Sequence, residues 1–172
     1  MYDNVVGIAK QYVGEKEKSA NTGFNNSQFE ADMKSVGWAS GSSWCVYFAK
    51  LMWKKALASS NPKVWNAANS LIGGNSQATW ANFVNDKSGL FKTSNVPKVG
   101  SIAIWQNYDN GTGKPTGHAG IVTSVGSTKF ATIEGNTNND GSANGDGVYA
   151  RERSYNFSVN NGLRLKGFIN IV

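Results

Sequence analysis

Scarcity is the first message of this chain. It has one cysteine, so no internal disulfide can form, and the fold must stand on its apolar core. A free thiol suits a reducing compartment of synthesis. No apolar run approaches the roughly 20 residues of a membrane span, which argues against stable membrane insertion. The opening stretch "MYDNVVGIAKQYVGEKEK" lacks a basic start followed by a long apolar run, so no secretory signal is expected. Zinc-finger spacing and the aromatic-basic strand signature of RNA-binding sheets are both missing, which disfavours nucleic acid. No cofactor motif stands out, and neither a cofactor nor a metal is expected.

What is present is enough for one globular unit. The 172 residues are 40% hydrophobic and only 16% charged. A chain of this length can bury roughly 70% of its unfolded surface. The net charge is +6 and the pI about 9.4. Such a balance favours polyanions: nucleic acid, anionic lipid or a bacterial cell wall, with solubility as the bland alternative. A monomer is expected, spanning residues 1–172 as a single domain with a helical part to about residue 95 and a strand-rich part from about 96.

In the first part the apolar residues follow a helical period. Val5, Ala9, Tyr12 and Val13 share a face that Gly14 can end. "SQFEADMKSVG" starts with Ser27 and carries Glu30 three places on, the pattern of a capping box. A third helix is expected from near Ser43 to about Ala58, with Cys45, Phe48, Ala49, Met52 and Ala56 on one face. Asn61 and Pro62 open a fourth. "SQATWANFVND" gives a fifth, with Trp80 and Val84 inward. After Pro97 come "VGSIAIWQ", "GHAGIVTSV", "TKFATIEG", "GVYARER" and "RLKGFINI", five short segments that read as antiparallel strands. Helices first and strands afterwards predict an α+β fold, helices packed on one sheet.

The chemistry rests on the two scarce residues, Cys45 and His118. A cysteine nucleophile needs a base and a means of becoming thiolate. With Ser43 as the cap, Cys45 stands in the first turn of a helix, where unpaired N–H groups and the macrodipole favour an anion. The same N–H groups can hold a tetrahedral oxyanion. Alone, a cysteine is as readily a small buried hydrophobe, and a lone histidine has no necessary role. His118, however, begins a strand after the turn-rich "YDNGTGKPTG". On the next strand Glu134 ends "FATIE", and Asn136 follows two places later, on the same side if the strand continues that far. An acceptor there would set the tautomer of His118, as the third member of a triad does.

Trp38 and Trp44, near the cysteine, are candidates for flooring a substrate groove, whereas Trp105 reads as core. In "NNDGSANGDG", Asp140, Ser142, Asn144 and Asp146 stand two apart like the front of a calcium loop. The twelfth position is Arg151, where that loop needs a bidentate carboxylate, so a polar turn is the better reading.

The blocks "WCVYFAK", "PKVGSIAIW", "GHAGIV" and "IEGN" together resemble, in order and spacing, the CHAP domain, the cysteine-, histidine-dependent amidohydrolase/peptidase family. The resemblance extends over most of the chain. It implies a papain-like fold, Cys45 as nucleophile, His118 as base and then acid, Glu134 as the orienting group and Asn136 as a helper. Gly100–Ser101 replaces the family's usual Gly-Asp, and Val46 replaces an alanine common after the cysteine. The related NlpC-type peptidases usually carry Asp-Cys-Ser where this chain has Trp44-Cys45-Val46. The function so implied is hydrolysis of a peptidoglycan amide, either N-acetylmuramoyl–L-alanine or a peptide bond of the stem or cross-link. A phage endolysin made in the host cytoplasm and released through a holin pore fits best. A virion-associated lysin, an injected antibacterial toxin, an intracellular amidase of the same fold and a catalytically silent wall-binding module are the alternatives.

Overall fold

The computed structural model describes residues 2–138, 144–160 and 162–172. Five helices precede the sheet, α1 (Tyr2–Gln11), α2 (Ser27–Lys34), α3 (Cys45–Leu57), α4 (Pro62–Leu71) and α5 (Ser76–Asn85). Six strands follow, β1 (Phe91–Ser94), β2 (Ile102–Asp109), β3 (Thr112–Val125), β4 (Lys129–Thr137), β5 (Gly147–Ser154) and β6 (Leu163–Ile171). All pairings are antiparallel, in the order β1-β6-β2-β3-β4-β5. This is the expected α+β, papain-like arrangement, with one strand more than the sequence announced.

Helix α3 is the hub of the fold. Cys45, Val46, Phe48, Ala49, Leu51, Met52, Trp53, Ala56 and Leu57 are all buried, a wider face than the expected stripe. It packs against β3 and β4 on one side and against α1, α2 and α4 on the other. Sheet alternation sends Ile102, Ile104, Ala119, Ile121 and Ile133 into this helical core. Ala103, Trp105, Val122, Phe130, Leu165 and Phe168 form a second, smaller core on the opposite face, under Tyr155, Phe157 and Leu163.

Several local expectations are corrected. Helix α1 stops at Gln11, and Val13 is exposed. The cap of α2 is Asn26 rather than Ser27: its side chain accepts from Gln28 N and Phe29 N. Glu30 reaches back beyond the cap to the N–H of Phe24, 3.1 Å, so the capping box does not form. In α5 the inward residues are Thr79 and Phe83, while Val84 is exposed and Trp80 half-buried. The missed strand β1 is four residues long and draws its order from tertiary partners. It pairs with β6, and Phe91 stacks on Trp53 with centroids 6.0 Å apart. The turn-rich "YDNGTGKPTG" forms a hairpin. Asn110 (φ 47°) and Gly111 (φ 76°) take the two left-handed positions of a type I′ turn, which lets β2 and β3 continue to its edge.

Candidate active site

The site begins where α3 begins. Phe48 N donates to Trp44 O at 2.8 Å, closing the first helical turn, and Cys45 is the first helical residue. Trp44 occupies the cap position with no side-chain cap, so the expected cap, Ser43, does not serve. Among the described residues no side-chain cap engages the first-turn N–H groups, and they retain the partial positive charge of a helix start.

His118 comes from β3, opposite Trp105 of β2. Alternation places it with Gly120 and Val122 on the second face of the sheet. It is fully buried, and its Nε2 lies 2.8 Å from Glu134 Oε2, itself fully buried. Two glycines make that meeting possible. A Cβ on Gly120 would lie 2.6 Å from Glu134 Cγ, blocking the carboxylate's approach. A Cβ on Gly117 would lie 1.9 Å from the Trp105 carbonyl oxygen, which would separate the strand that carries His118 from its neighbour. The glycines of "GHAG" are thus spatial requirements of the His118–Glu134 pair.

With Nε2 engaged, Nδ1 is the nitrogen left for the thiol. Nδ1 is buried without an aligned hydrogen-bond partner, yet Cys45 is close enough to act on the ring's proton affinity. Burial pushes the His118 pKa down. Interaction with Cys45 and with Glu134, by hydrogen bonding and by charge, outweighs burial and raises it from 6.5 to about 9. Glu134 moves the other way: burial raises its pKa, but hydrogen bonds from Arg153 and His118 and their positive charge bring it down to about 2. Near neutral pH the pair is therefore imidazolium and carboxylate.

Asn136 is brought into the same region but differently from expectation. The β4–β5 register shifts between Glu134 and Thr137, and Asn136 is left-handed (φ 57°). The alternation that would align it with Glu134 is broken there. Its carboxamide is fully buried, and among the described residues neither Oδ1 nor Nδ2 has a hydrogen-bond partner.

Trp38 and Trp44 do not line an open groove. Trp44 is fully buried, edge-on to Phe24 at 4.9 Å, and its indole N–H donates to Glu17 Oε2 at 2.8 Å. Trp38 is buried, with its indole N–H on Ser42 O at 2.9 Å. Both are buried parts of the helical core. Trp105 is core, as expected, and its ring stands 5.8 Å from that of His118. Asp140 and Ser142 of the oxygen-rich stretch lie outside the described residues. Asp146 is paired with Lys16 at 2.9 Å. Among the described residues no group of three His, Cys, Asp or Glu side chains could hold a metal ion, and no helix is long and apolar enough to cross a membrane.

Sequence reasoning missed Arg153 and Thr132. Arg153 Nε donates to Glu134 Oε1 at 2.8 Å, and its Nη2 donates to Oε2. The Thr132 hydroxyl donates to Oε1. In sequence Arg153 is one of two arginines of "GVYARER", spaced like any charged strand residue; only the sheet brings it to Glu134.

A cysteine at an uncapped helix start, beside a histidine oriented by a buried carboxylate, is the arrangement a thiol nucleophile requires. The chain belongs to the CHAP domain family, whose model matches residues 37–136, more than half of its length. No curated protein matches its sequence. The fold is similar to that of the wild type endolysin LysIME-EF1, with a TM-score of 0.56 at 17% identity over 99% of this chain. The chain spans 63% of that endolysin's length.

Proposed function

We propose that this protein is a peptidoglycan hydrolase that cuts an amide bond through Cys45. The observation that carries the reading is the buried His118–Glu134 pair beside a cysteine at an uncapped helix N-terminus. CHAP membership and the endolysin-like fold support the substrate class, and the net charge of +6 suits approach to an anionic wall.

In this mechanism the Cys45 thiolate attacks the amide carbonyl carbon, and the carbonyl π electrons move to oxygen. The N–H groups of the first turn of α3 receive that oxyanion. Imidazolium His118 gives its proton to the leaving nitrogen, the C–N bond breaks, and an amine departs from a thioester. Neutral His118 then takes a proton from water as the water oxygen attacks the thioester. Collapse releases the carboxylic acid and restores thiolate and imidazolium. Glu134 keeps the ring oriented and stabilises its charge throughout. Asn136 is assigned a helper role in the same site. The bond is N-acetylmuramoyl–L-alanine or one within the stem or cross-link. The biological role is lysis of a host wall by a phage endolysin that reaches its substrate after release from the cytoplasm.

The test is digestion of purified peptidoglycan followed by mass spectrometry of the soluble fragments. New amine and carboxyl termini at one bond type name the amidase or endopeptidase activity, and Cys45→Ala should release none. A wild-type digest without new termini sinks the reading. Wall binding by Cys45→Ala and wild type alike, with no cleavage by either, would instead mark a silent binder.

A further inference from the structure

We propose that Arg153 is a positioning residue of the site, holding Glu134 as a carboxylate with Oε2 turned to His118. The inference rests on the reading of Cys45, His118 and Glu134 as the catalytic group.

The geometry is that of a two-pronged clamp. Arg153 Nε donates to Oε1 and Nη2 to Oε2, and Thr132 adds its hydroxyl to Oε1. Oε2 is thereby left one direction, toward His118 Nε2 at 2.8 Å. Arg153 is itself held: its Cζ lies 5.2 Å from the centre of the Trp105 ring, which stacks on Phe130 at 6.1 Å. Arginine's rigid fork matches a carboxylate at both oxygens, which lysine's single ammonium cannot do.

A fully buried carboxyl group without a cation favours its neutral form. As a neutral acid Glu134 would no longer balance the His118 imidazolium. The charged groups facing Glu134 are His118 from β3 and Arg153 from β5. Cys45 from α3 lies beyond the imidazole, and Arg151, opposite Thr132 in register, is the next cation along β5. The elements on either side of His118 thus place the Cys45 side chain and a carboxylate about the ring, and Arg153 supplies the second cation that faces that carboxylate.

The test uses the fact that His118 is the chain's only histidine, so its ring ¹⁵N signals need no assignment. In the wild type those signals should show one inflection, near pH 9, and none between pH 4 and 7. Arg153→Met should add a second inflection at about pH 5 or above as Glu134 takes up a proton. Its turnover should then fall about tenfold more at pH 5 than at pH 8, with KM little changed. Arg153→Lys should lie between the two, and it carries the same test should Arg153→Met not fold. Arg151→Met, which removes a like charge two residues away, should leave the acid range unchanged. A pH-independent loss with no new inflection, or the same inflection in Arg151→Met, would overturn the proposal. The ring signals report on Arg153 whether or not any wall bond is cut, so a failure of the proposed activity is read separately.

Discussion

Gly135 stands between Glu134 and Asn136, and replacing it by alanine separates fold stability from catalytic geometry. Its φ is not in the left-handed region, so alanine meets no backbone penalty there. The cost is steric. An added Cβ would lie 2.6 Å from Trp44 Cζ3, 2.7 Å from Phe48 Cβ and 2.9 Å from Phe48 Cγ. Ordinary carbon contacts are about 3.5–4.0 Å, so each atom must withdraw by about 1 Å. Neither neighbour yields easily: both are fully buried, and Trp44 is tied to Glu17. Overpacking of this kind costs about 1–3 kcal/mol. At this chain length that lowers Tm by roughly 2–12 °C. Trp44 immediately precedes Cys45, and Phe48 lies one turn beyond it, so the strain falls on the turn that holds Cys45, the proposed nucleophile. A misplacement of about 1 Å there should lower turnover about 100-fold. The assays are thermal unfolding and initial rates on purified wall, measured well below Tm. Asn61→Ala is the matched control. It removes the α4 cap, whose side chain accepts from Val64 N, at a cost of about 1 kcal/mol, and should leave turnover intact. Full turnover in a destabilised Gly135→Ala would refute the reasoning.

Four further outcomes are expected. Glu134→Gln removes the buried anion that Arg153 and His118 share; the cost should be near the low end of about 3–5 kcal/mol, because the Arg153 side chain is 16% exposed, and turnover should fall about 10⁴-fold. A soluble, native-like variant with wild-type rate would contradict the triad. His118 has a raised pKa, so stability from its protonated form is complete below about 6.5 and is lost as pH rises toward 9; activity should fall over the upper part of that window. Glu134 has a lowered pKa, so its contribution is complete above about 4.5 and is lost as pH falls toward 2, which acid unfolding of wild type against Glu134→Gln should show. Gly120→Ala should separate Glu134 from His118, because its Cβ would occupy the space of Glu134 Cγ; the histidine's inflection should then move down from 9, and an unchanged titration would show that the carboxylate can find another path.

Much of the fold was legible because apolar period is a local property. Five helices and five strands could be read from spacing, and the α4 cap Asn61 from its capping chemistry. The errors share one cause, competition among local partners that only packing resolves. Asn26 took the cap of α2 from Ser27 because its carboxamide reaches two N–H groups at once. The strand Phe91–Ser94 carries too short a pattern to announce itself and exists through β6 and the aromatic ring of Trp53. The dipeptide Asn110–Gly111 did contain a hairpin signal, but the polar residues around it concealed how far both strands extend.

For the site, the sequence alone supplied the candidate groups. One cysteine and one histidine leave no choice of thiol or imidazole, and the order of the four blocks joined them to Glu134 and Asn136. Tertiary structure alone decided how those groups are held. The helix starts on the cysteine itself without a side-chain cap. The glycines beside His118 are set by the approach of Trp105 and Glu134. Two tryptophans that could have floored a groove are buried walls instead. Arg153 belongs to the site because the twist and register of β4 and β5 bring its long side chain to a carboxylate that water cannot reach. A charge on a strand has no preferred partner in sequence; burial gives it one, since an ion removed from water must find its counter-ion in the fold.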